Sequence, residues 1–333
     1  MYDIITFGSA TKDIFLKTHK SKILKDQDFM TGKGVCFNLG SKIDVDEIVF
    51  GSGGGGTNTA VAFAKQGFKV AYCGVVGDDL AGKEIIQELK SYKIDTKLII
   101  ESKNKATNHS VVLMTSGDDR TILVYRGASE SLKKTDISWK KLKAKWFYIA
   151  PLAGDSDDVF EAIIDYAKKN NVRVALNMGD RQLGLPKSIL EKYLSIVDVV
   201  IVNQEEAAKL TKIPYEKTEE IFNKLDEMCT GITIMTKGDG GVIMSDGYFI
   251  YRAPILKSEV VDKTGAGDSF ASGFLSGFIQ SAGDTEYALQ LGTANASECL
   301  GTIGAKTGLL KKGQKFAKVE VKKEACKTCD CCS

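Results

Sequence analysis

Apolar residues in the second half of the chain recur in two alternating rhythms. Unbroken runs at Trp146–Ala150, Val172–Leu176, Val197–Val202 and Ile232–Thr236 predict strands buried on both faces. Between the first two, Val159, Phe160, Ile163, Ile164 and Ala167 mark one face of a helix, and further helices are predicted from Lys187 and over Thr218–Met228. Fully apolar strands separated by helices predict a parallel sheet covered on both sides. The first half opens in the same way, with strands at Asp3–Phe7 and Val70–Val76 and a helix facing inward through Ile85, Ile86, Leu89 and Tyr92. Residues 14–50 break the rhythm. Short runs such as Ile14-Phe15-Leu16 and Glu47-Ile48-Val49-Phe50 are interrupted by Gly32, Gly34 and Gly40 without helical spacing, which predicts a small β excursion. Ser110–Thr115 and Thr121–Tyr125 flank Ser116-Gly117-Asp118-Asp119-Arg120 as a hairpin able to pair with that excursion as a lid. A second hairpin turns at Asp246-Gly247, and a long helix runs from Asp284 to about Leu300. No internal repeat or low-complexity linker divides the chain.

Composition narrows the partners. A formal net charge of +2 on 333 residues gives no general case for nucleic acid or an acidic partner. No apolar run approaches the roughly 20 residues that span a bilayer, and the N-terminus enters a strand without a basic leader, so a cytoplasmic protein with no membrane partner is expected. Of eight cysteines, Cys36, Cys73, Cys229 and Cys299 are scattered, as buried reduced thiols are. Cys326, Cys329, Cys331 and Cys332 crowd a lysine-rich tail, residues 314–333. Their spacing suits zinc, copper or redox exchange, while the lack of apolar periodicity favours an exposed tail beyond the core.

Candidate chemistry collects at strand ends. An apolar run reaches Asp262, and Gly265-Ala266-Gly267 then precedes Asp268 and a helical face of Phe270, Phe274 and Phe278. Glycines where a loop becomes a helix leave backbone amides free and backed by the positive dipole end, an anion site. A carboxylate inside such a site suits a base that takes a proton from a nucleophile; the plainer reading is a glycine turn with an acid in the first helical turn. Gly51-Ser52-Gly53-Gly54-Gly55-Gly56-Thr57-Asn58 fits a dinucleotide fingerprint by spacing, but follows a strand and a β excursion instead of the first βα turn. It lacks the Gly-Lys-Ser/Thr ending of a Walker loop. Close backbone approach, to a ligand or to another strand, is the firmer requirement. Asn203-Gln204-Glu205-Glu206 reads either as an outer shell for hydrated Mg²⁺ or as helix-start capping. Lys237-Gly238-Asp239-Gly240-Gly241 forms another glycine loop, and Asp13 follows the first strand. Phosphate, metal and base are the parts of phosphoryl transfer.

Four of these stretches, in this order along the chain, resemble motifs of the ribokinase-like sugar kinases, the PfkB carbohydrate kinase family. They are Gly53-Gly54-Gly55-Gly56-Thr57-Asn58, Asn203-x-x-Glu206, Thr236-Lys237-Gly238-x-Gly240-Gly241 and Asp262-Lys263-Thr264-Gly265-Ala266-Gly267-Asp268. The resemblance covers roughly Tyr2 to Lys311. It implies a three-layer αβα sandwich with a mainly parallel central sheet and a small β-sheet lid, the kinase domain spanning 1–313 with its lid from about 14–50 and 108–126. It also implies transfer of the γ-phosphoryl of ATP to a hydroxyl of a sugar. Asp268 would act as base, with Gly265, Ala266 and Gly267 as the anion hole. Asp13, Gly54, Asn58 and Asp268 would hold the acceptor. On the nucleotide side it implies Asn203, Thr236, Lys237, Gly238, Gly241, Gly265, Gly267 and Asn295, with Glu206, Asn203 and Asp262 reaching Mg²⁺ mostly through water. The Gly304-Ala305 region would wall the adenine pocket or a monovalent-cation site.

Lys263 departs from the family's threonine. It brings a cation beside the nucleotide phosphates or a monovalent-ion site, so potassium dependence is not predicted. The alternative inside the family is a nucleoside kinase; outside it stand an NAD-dependent oxidoreductase using the first glycine run and a non-catalytic sugar sensor. Exposed β edges on the lid would allow a homodimer.

Overall fold

The structure is a computed structural model and describes residues 1–27, 29, 32–115, 120–154 and 157–326. The chain begins in strand β1 (Tyr2–Phe7) and leaves the main sheet through β2 (Thr11–Thr18), β3 (Lys22–Lys25), β4 (Lys33–Cys36) and β5 (Glu47–Gly53). It returns through helix α1 (Gly55–Lys65) to β6 (Val70–Gly77), then α2 (Leu80–Ser91) and β7 (Ile99–Ser102). A second excursion, β8 (Asn108–Thr115) and β9 (Thr121–Tyr125), precedes β10 (Ala144–Ile149), α3 (Asp157–Lys169) and β11 (Arg173–Asn177). Next come α4 (Asp180–Leu183), α5 (Lys187–Leu194), β12 (Val199–Asn203), α6 (Gln204–Thr211), α7 (Thr218–Met228) and β13 (Ile232–Thr236). The hairpin β14 (Val242–Ser245) and β15 (Phe249–Ala253) leads to α8 (Ala266–Gln280), α9 (Thr285–Leu300) and β16 (Lys322–Ala325).

Among the described residues the large sheet has the order β16-β15-β14-β13-β12-β11-β10-β1-β6-β7. From β13 to β7 the neighbours are parallel, while β14, β15 and β16 add antiparallel strands at one side. The carboxyl ends of the parallel strands therefore share one edge, where open α/β sheets bind ligands. These strands are apolar throughout because both faces are covered; all eight residues of β6 are buried. On one face Phe147, Val174, Val200 and Met235 pack with Phe160, Ile163, Phe222 and Leu225 of α3 and α7. On the other, Tyr72, Tyr148, Ile201 and Ile234 pack with Phe63 of α1, Phe274 of α8 and Leu289 of α9. The expected three layers are present, as is the lid. The lid is a second sheet in the order β5-β2-β8-β9, and β3 and β4 form a separate ribbon. The expected turn at Ser116–Asp119 lies outside the described residues.

The last residues depart from the expected tail. Val319 is buried in the α1–α8 core, and β16 pairs antiparallel with β15 from Phe249↔Ala325 to Arg252↔Lys322. The free backbone groups of an edge strand can pair with any extended sequence, so Lys322, Lys323 and Glu324 join the sheet while their side chains stay solvated. Cys329, Cys331 and Cys332 lie outside the described residues; the Cys326 amide donates to the Tyr248 carbonyl at 2.9 Å.

Helix α8 is held by packing instead of by a side-chain cap. Phe270, Phe274 and Phe278 stack along it with ring centroids 6.4 and 6.1 Å apart. On its other side α9 approaches so closely that a methyl group on Gly273 would lie 2.9 Å from the Gly292 Cα. Phe274 is fully buried, so Phe274→Ala should lower stability by about 3–5 kcal/mol, measured by denaturant unfolding.

Candidate active site

Two helix N-termini meet at the sheet's carboxyl edge. Gly265 precedes α8 with φ +79°, a left-handed conformation that favours glycine, and a methyl group there would overlap Ala305. The amides of Ala266, Gly267 and Asp268 form the first turn of α8, where no carbonyl one turn earlier in the helix can accept from them. Gly54, at φ +96°, turns the chain from β5 into α1, and Gly55 brings that helix's start against Asp268: a Cβ at Gly55 would lie 3.4 Å from Asp268 Oδ1. The carboxylate thus sits between the heads of α1 and α8.

Asn58, one turn into α1, donates from Nδ2 to Asp268 Oδ2 at 2.8 Å. Its own Oδ1 is buried and has no hydrogen-bond partner among the described residues. Burial pushes the Asp268 carboxyl above the usual carboxylate range; the Asn58 bond and the Lys306 ammonium pull in the other direction. Asp13 of β2 shows the same balance. Burial raises it, against a 2.5 Å bond from Ser110 Oγ and the charge of Lys306. Gly53 is a glycine for a local reason: a Cβ there would overlap Asp13 Oδ2. Gly51 and Gly53 lie within β5, paired with β2, and so do not form the loop that a dinucleotide fingerprint requires.

The residues expected on the nucleotide side gather at the ends of neighbouring strands. Asn203 ends β12 and pairs in register with Thr236, which ends β13. Lys237 and Gly238 follow in a tight turn, Gly238 at φ +51° with open space on its Cβ side. Gly241 closes that turn: its carbonyl accepts from the Lys237 amide at 2.8 Å. Burial lowers the Lys237 ammonium pKa. Asn203 and Glu206 form a reciprocal capping box: Asn203 Oδ1 accepts from the Glu206 amide at 2.9 Å, and Glu206 Oε2 from the Asn203 amide at 2.8 Å. The box leaves Asn203 exposed at the sheet's edge, whereas burial pushes the Glu206 carboxyl up to about 7. Tyr148, wholly buried in β10, lies within electrostatic range of both Asp268 and Glu206.

Asp262 and Asn295 carry internal bonds. Asp262 accepts from the Thr264 amide and hydroxyl through Oδ1, at 2.9 and 2.7 Å, and from the Gly304 amide through Oδ2 at 3.0 Å. It braces the loop before the anion site. Asn295 is 1 % exposed; its Nδ2 donates to the Ser269 carbonyl and its Oδ1 accepts from the Leu310 amide, so both amide ends tie α9 to its neighbours. The sequence reading missed Lys306, 5 % exposed, whose Nζ donates to Ser52 Oγ at 2.6 Å and Glu88 Oε2 at 3.2 Å. It also missed Ser110. A lysine after Gly304-Ala305 carries no sequence mark of burial, and only β8 pairing alongside β2 brings Ser110 to Asp13.

A mainly parallel sheet, a β lid at one edge, and a half-buried carboxylate between two helix starts define the ribokinase-like class. Ribokinase from Arabidopsis thaliana complexed with ribose and ATP superposes with a TM-score of 0.74 at 22% identity, covering 93% of this chain and 96% of that one. A nucleoside kinase from Methanocaldococcus jannaschii reaches 0.71 at 22% identity, covering 92% and 95%. The pfkB family carbohydrate kinase model matches residues 26–312, and the chain belongs to that family. Ribokinase from Lactococcus lactis is 26% identical over 298 residues, 88% of this chain and 94% of its own.

The Glu206 environment has a measurable consequence. A carboxyl raised by burial keeps its proton in the folded state after the unfolded chain has lost it, so stability falls as pH rises between its ordinary value and about 7. Glu206→Gln, which keeps an acceptor for the capping box, removes that slope. Between about pH 4.5 and pH 8 it should gain on the native protein by an amount on the order of 2–3 kcal/mol in denaturant unfolding.

Proposed function

We propose that the protein transfers the γ-phosphoryl of ATP to a hydroxyl of a sugar. The observation that carries this reading is the Asn58–Asp268 pair. One end of the Asn58 amide fixes the carboxylate, and the other leaves a buried acceptor that an incoming hydroxyl can satisfy. Asp268 takes the proton of the acceptor hydroxyl, while Asp13 and the Gly54 turn hold neighbouring hydroxyls. The amides of Gly265, Ala266 and Gly267 hold the charge on the transferring group. The lid closes over the acceptor and keeps water from competing.

Asn203, Thr236, Lys237, Gly238 and Gly241 line the nucleotide side. Among the described residues no group of three His, Cys, Asp or Glu side chains could enclose a metal. That suits Mg²⁺, which keeps several waters and is bound through substrate phosphates. Glu206 and Asn203 would face it through water, with Asp262 bracing the loop beside it; when bound it neutralises phosphate charge. Among the described residues no helix is long and apolar enough to cross a membrane, and a cytoplasmic location fits this chemistry.

A nucleoside acceptor is the second reading. It is favoured by a cavity of about 180 Å³ beneath the lid, where Phe15, Val49, Met114, Val261 and Ile303 offer an apolar wall to a base. The lid's outer face exposes Ile48, Phe50, Leu123 and Tyr125, which supports pairing with a second copy. A Phe50→Glu, Leu123→Glu variant should then sediment at half the native mass.

ADP release measured across pentoses, hexoses, sugar phosphates and nucleosides identifies the acceptor. A protein that binds sugar but releases no ADP with any of them would be a sensor, and one that turns over NAD an oxidoreductase. With the best acceptor, Asp268→Asn should lower kcat by about 10²–10⁴-fold, the range for a lost general base; near-native turnover would remove Asp268 from that role.

A further inference from the structure

Residues 304–306 touch both halves of the site. The Gly304 amide donates to Asp262 in the loop before the anion hole, and Ala305 packs against the left-handed Gly265. The aromatic ring of Phe15, on the lid's inner face, lies over Gly304. One residue further, the Lys306 side chain runs to the root of the lid, where its ammonium bridges Ser52 of β5 and Glu88 of α2. Ser52 Oγ also donates to Glu88 Oε2, which closes a three-membered polar cluster. The Lys306 carbonyl accepts from Lys65 Nζ in the last turn of α1, at 2.6 Å. Ser52 stands opposite Lys12 in the β2–β5 pairing, next to Asp13. Buried ammonium groups are rare in folds unless paired, and this one is paired to both of the elements that the Ser52–Glu88 bond joins.

We propose that Lys306 is a positioning residue for phosphoryl transfer: by pinning β5 to α2 while its neighbour Ala305 supports Gly265, it sets the acceptor-side Asp13 and the β5–α1 turn in register with Asp268 and the anion hole. Lys306 touches no reacting atom in this scheme; it acts through Ser52, Glu88 and the chain of residues 304–306. Its charge also acts on both acids, opposing the rise that desolvation imposes on Asp13 and Asp268. The other groups facing this cluster are Glu88 of α2, Lys12 of β2 and Asp262, and those facing Asp268 are Asn58 of α1, Tyr148 of β10 and Cys299 of α9.

The kinetic arm of the test rests on the phosphotransfer reading; the exchange arm does not. Full-length native protein, Lys306→Met and Lys306→Arg are compared by amide hydrogen exchange with ADP present, and by ADP release with D-ribose and with adenosine across pH. Lys306→Met should speed exchange in Glu47–Gly53 and in Ser269–Ser272, the first bonded amides of α8, by about tenfold or more, while Lys187–Leu194 exchanges as in the native protein. It should lower kcat by about 10–100-fold, change the KM for ATP less than about threefold, and move the acid limb of kcat/KM to higher pH. Lys306→Arg should recover part of each effect. If native protein phosphorylates neither compound, the function proposed above is in question, while the exchange result still decides the role of Lys306. Faster exchange confined to β5 with an unmoved acid limb would make Lys306 merely structural and overturn the proposal, as would native exchange in both segments. Should Lys306→Met fail to fold, Ser52→Ala removes the lid contact alone: faster exchange in Glu47–Gly53 and Ser269–Ser272 supports the coupling, and native exchange there overturns it.

Discussion

The structure turns on one half-buried carboxylate held at the start of a helix. Removing Asp268 from water opposes its charge, and nothing in the apolar layers of the sheet can repay that. The fold answers with dipoles and one ammonium: first-turn amides of α8, the head of α1, the Asn58 amide and the Lys306 charge. Each comes from a different part of the chain. The site is therefore made only when the parallel sheet has aligned its strand ends and both helices have docked against one face of it. That coupling gives the small residues of α8 and α9 a functional meaning, since their close packing sets where the α8 N-terminus ends up.

Asp13 repeats the arrangement in β2 of the lid. It is buried and held by a hydroxyl, and it shares Lys306 as its counter-charge. Two acids served by one cation cannot be tuned independently. A change that weakens Lys306 raises both, so Asp13 and Asp268 are linked through electrostatics as well as through the chain of residues 304–306. Glu206 stands apart from this pair, in a capping box at the head of α6, where burial pushes it up to about 7 with Asp180 and Glu205 adding to the rise and Lys209 opposing it.

How much of this was legible depended on whether a residue's role was set locally. Strands covered on both faces must be apolar throughout, so β10 to β13 declare themselves in the sequence, and so does α7 through its periodic face. The glycine run asked for close backbone approach, and Gly53 against Asp13 supplies it. β16 was illegible because an edge strand is recruited by backbone groups, with no side-chain pattern required of Lys322 to Ala325. Lys306 and Asn295 were illegible for the opposite reason. A polar residue among apolar neighbours looks the same in sequence whether it faces a ligand or ties two elements together, and only tertiary contacts separate the cases.

Lys263 shows where that limit bears on chemistry. It stands one residue after Asp262, whose oxygens are engaged by Thr264 and Gly304 and brace the loop. The residue is exposed, at the wall of a cleft shared with Met114, Val260 and Val261 beneath the lid. A cation so placed is screened by solvent and acts over a shorter range than the buried Lys306. The departure from the family motif that stood out in the sequence is thus the weaker electrostatic term, and the lysine with no motif at all is the stronger. In this fold, burial rather than proximity in sequence decides which charge acts on Asp268.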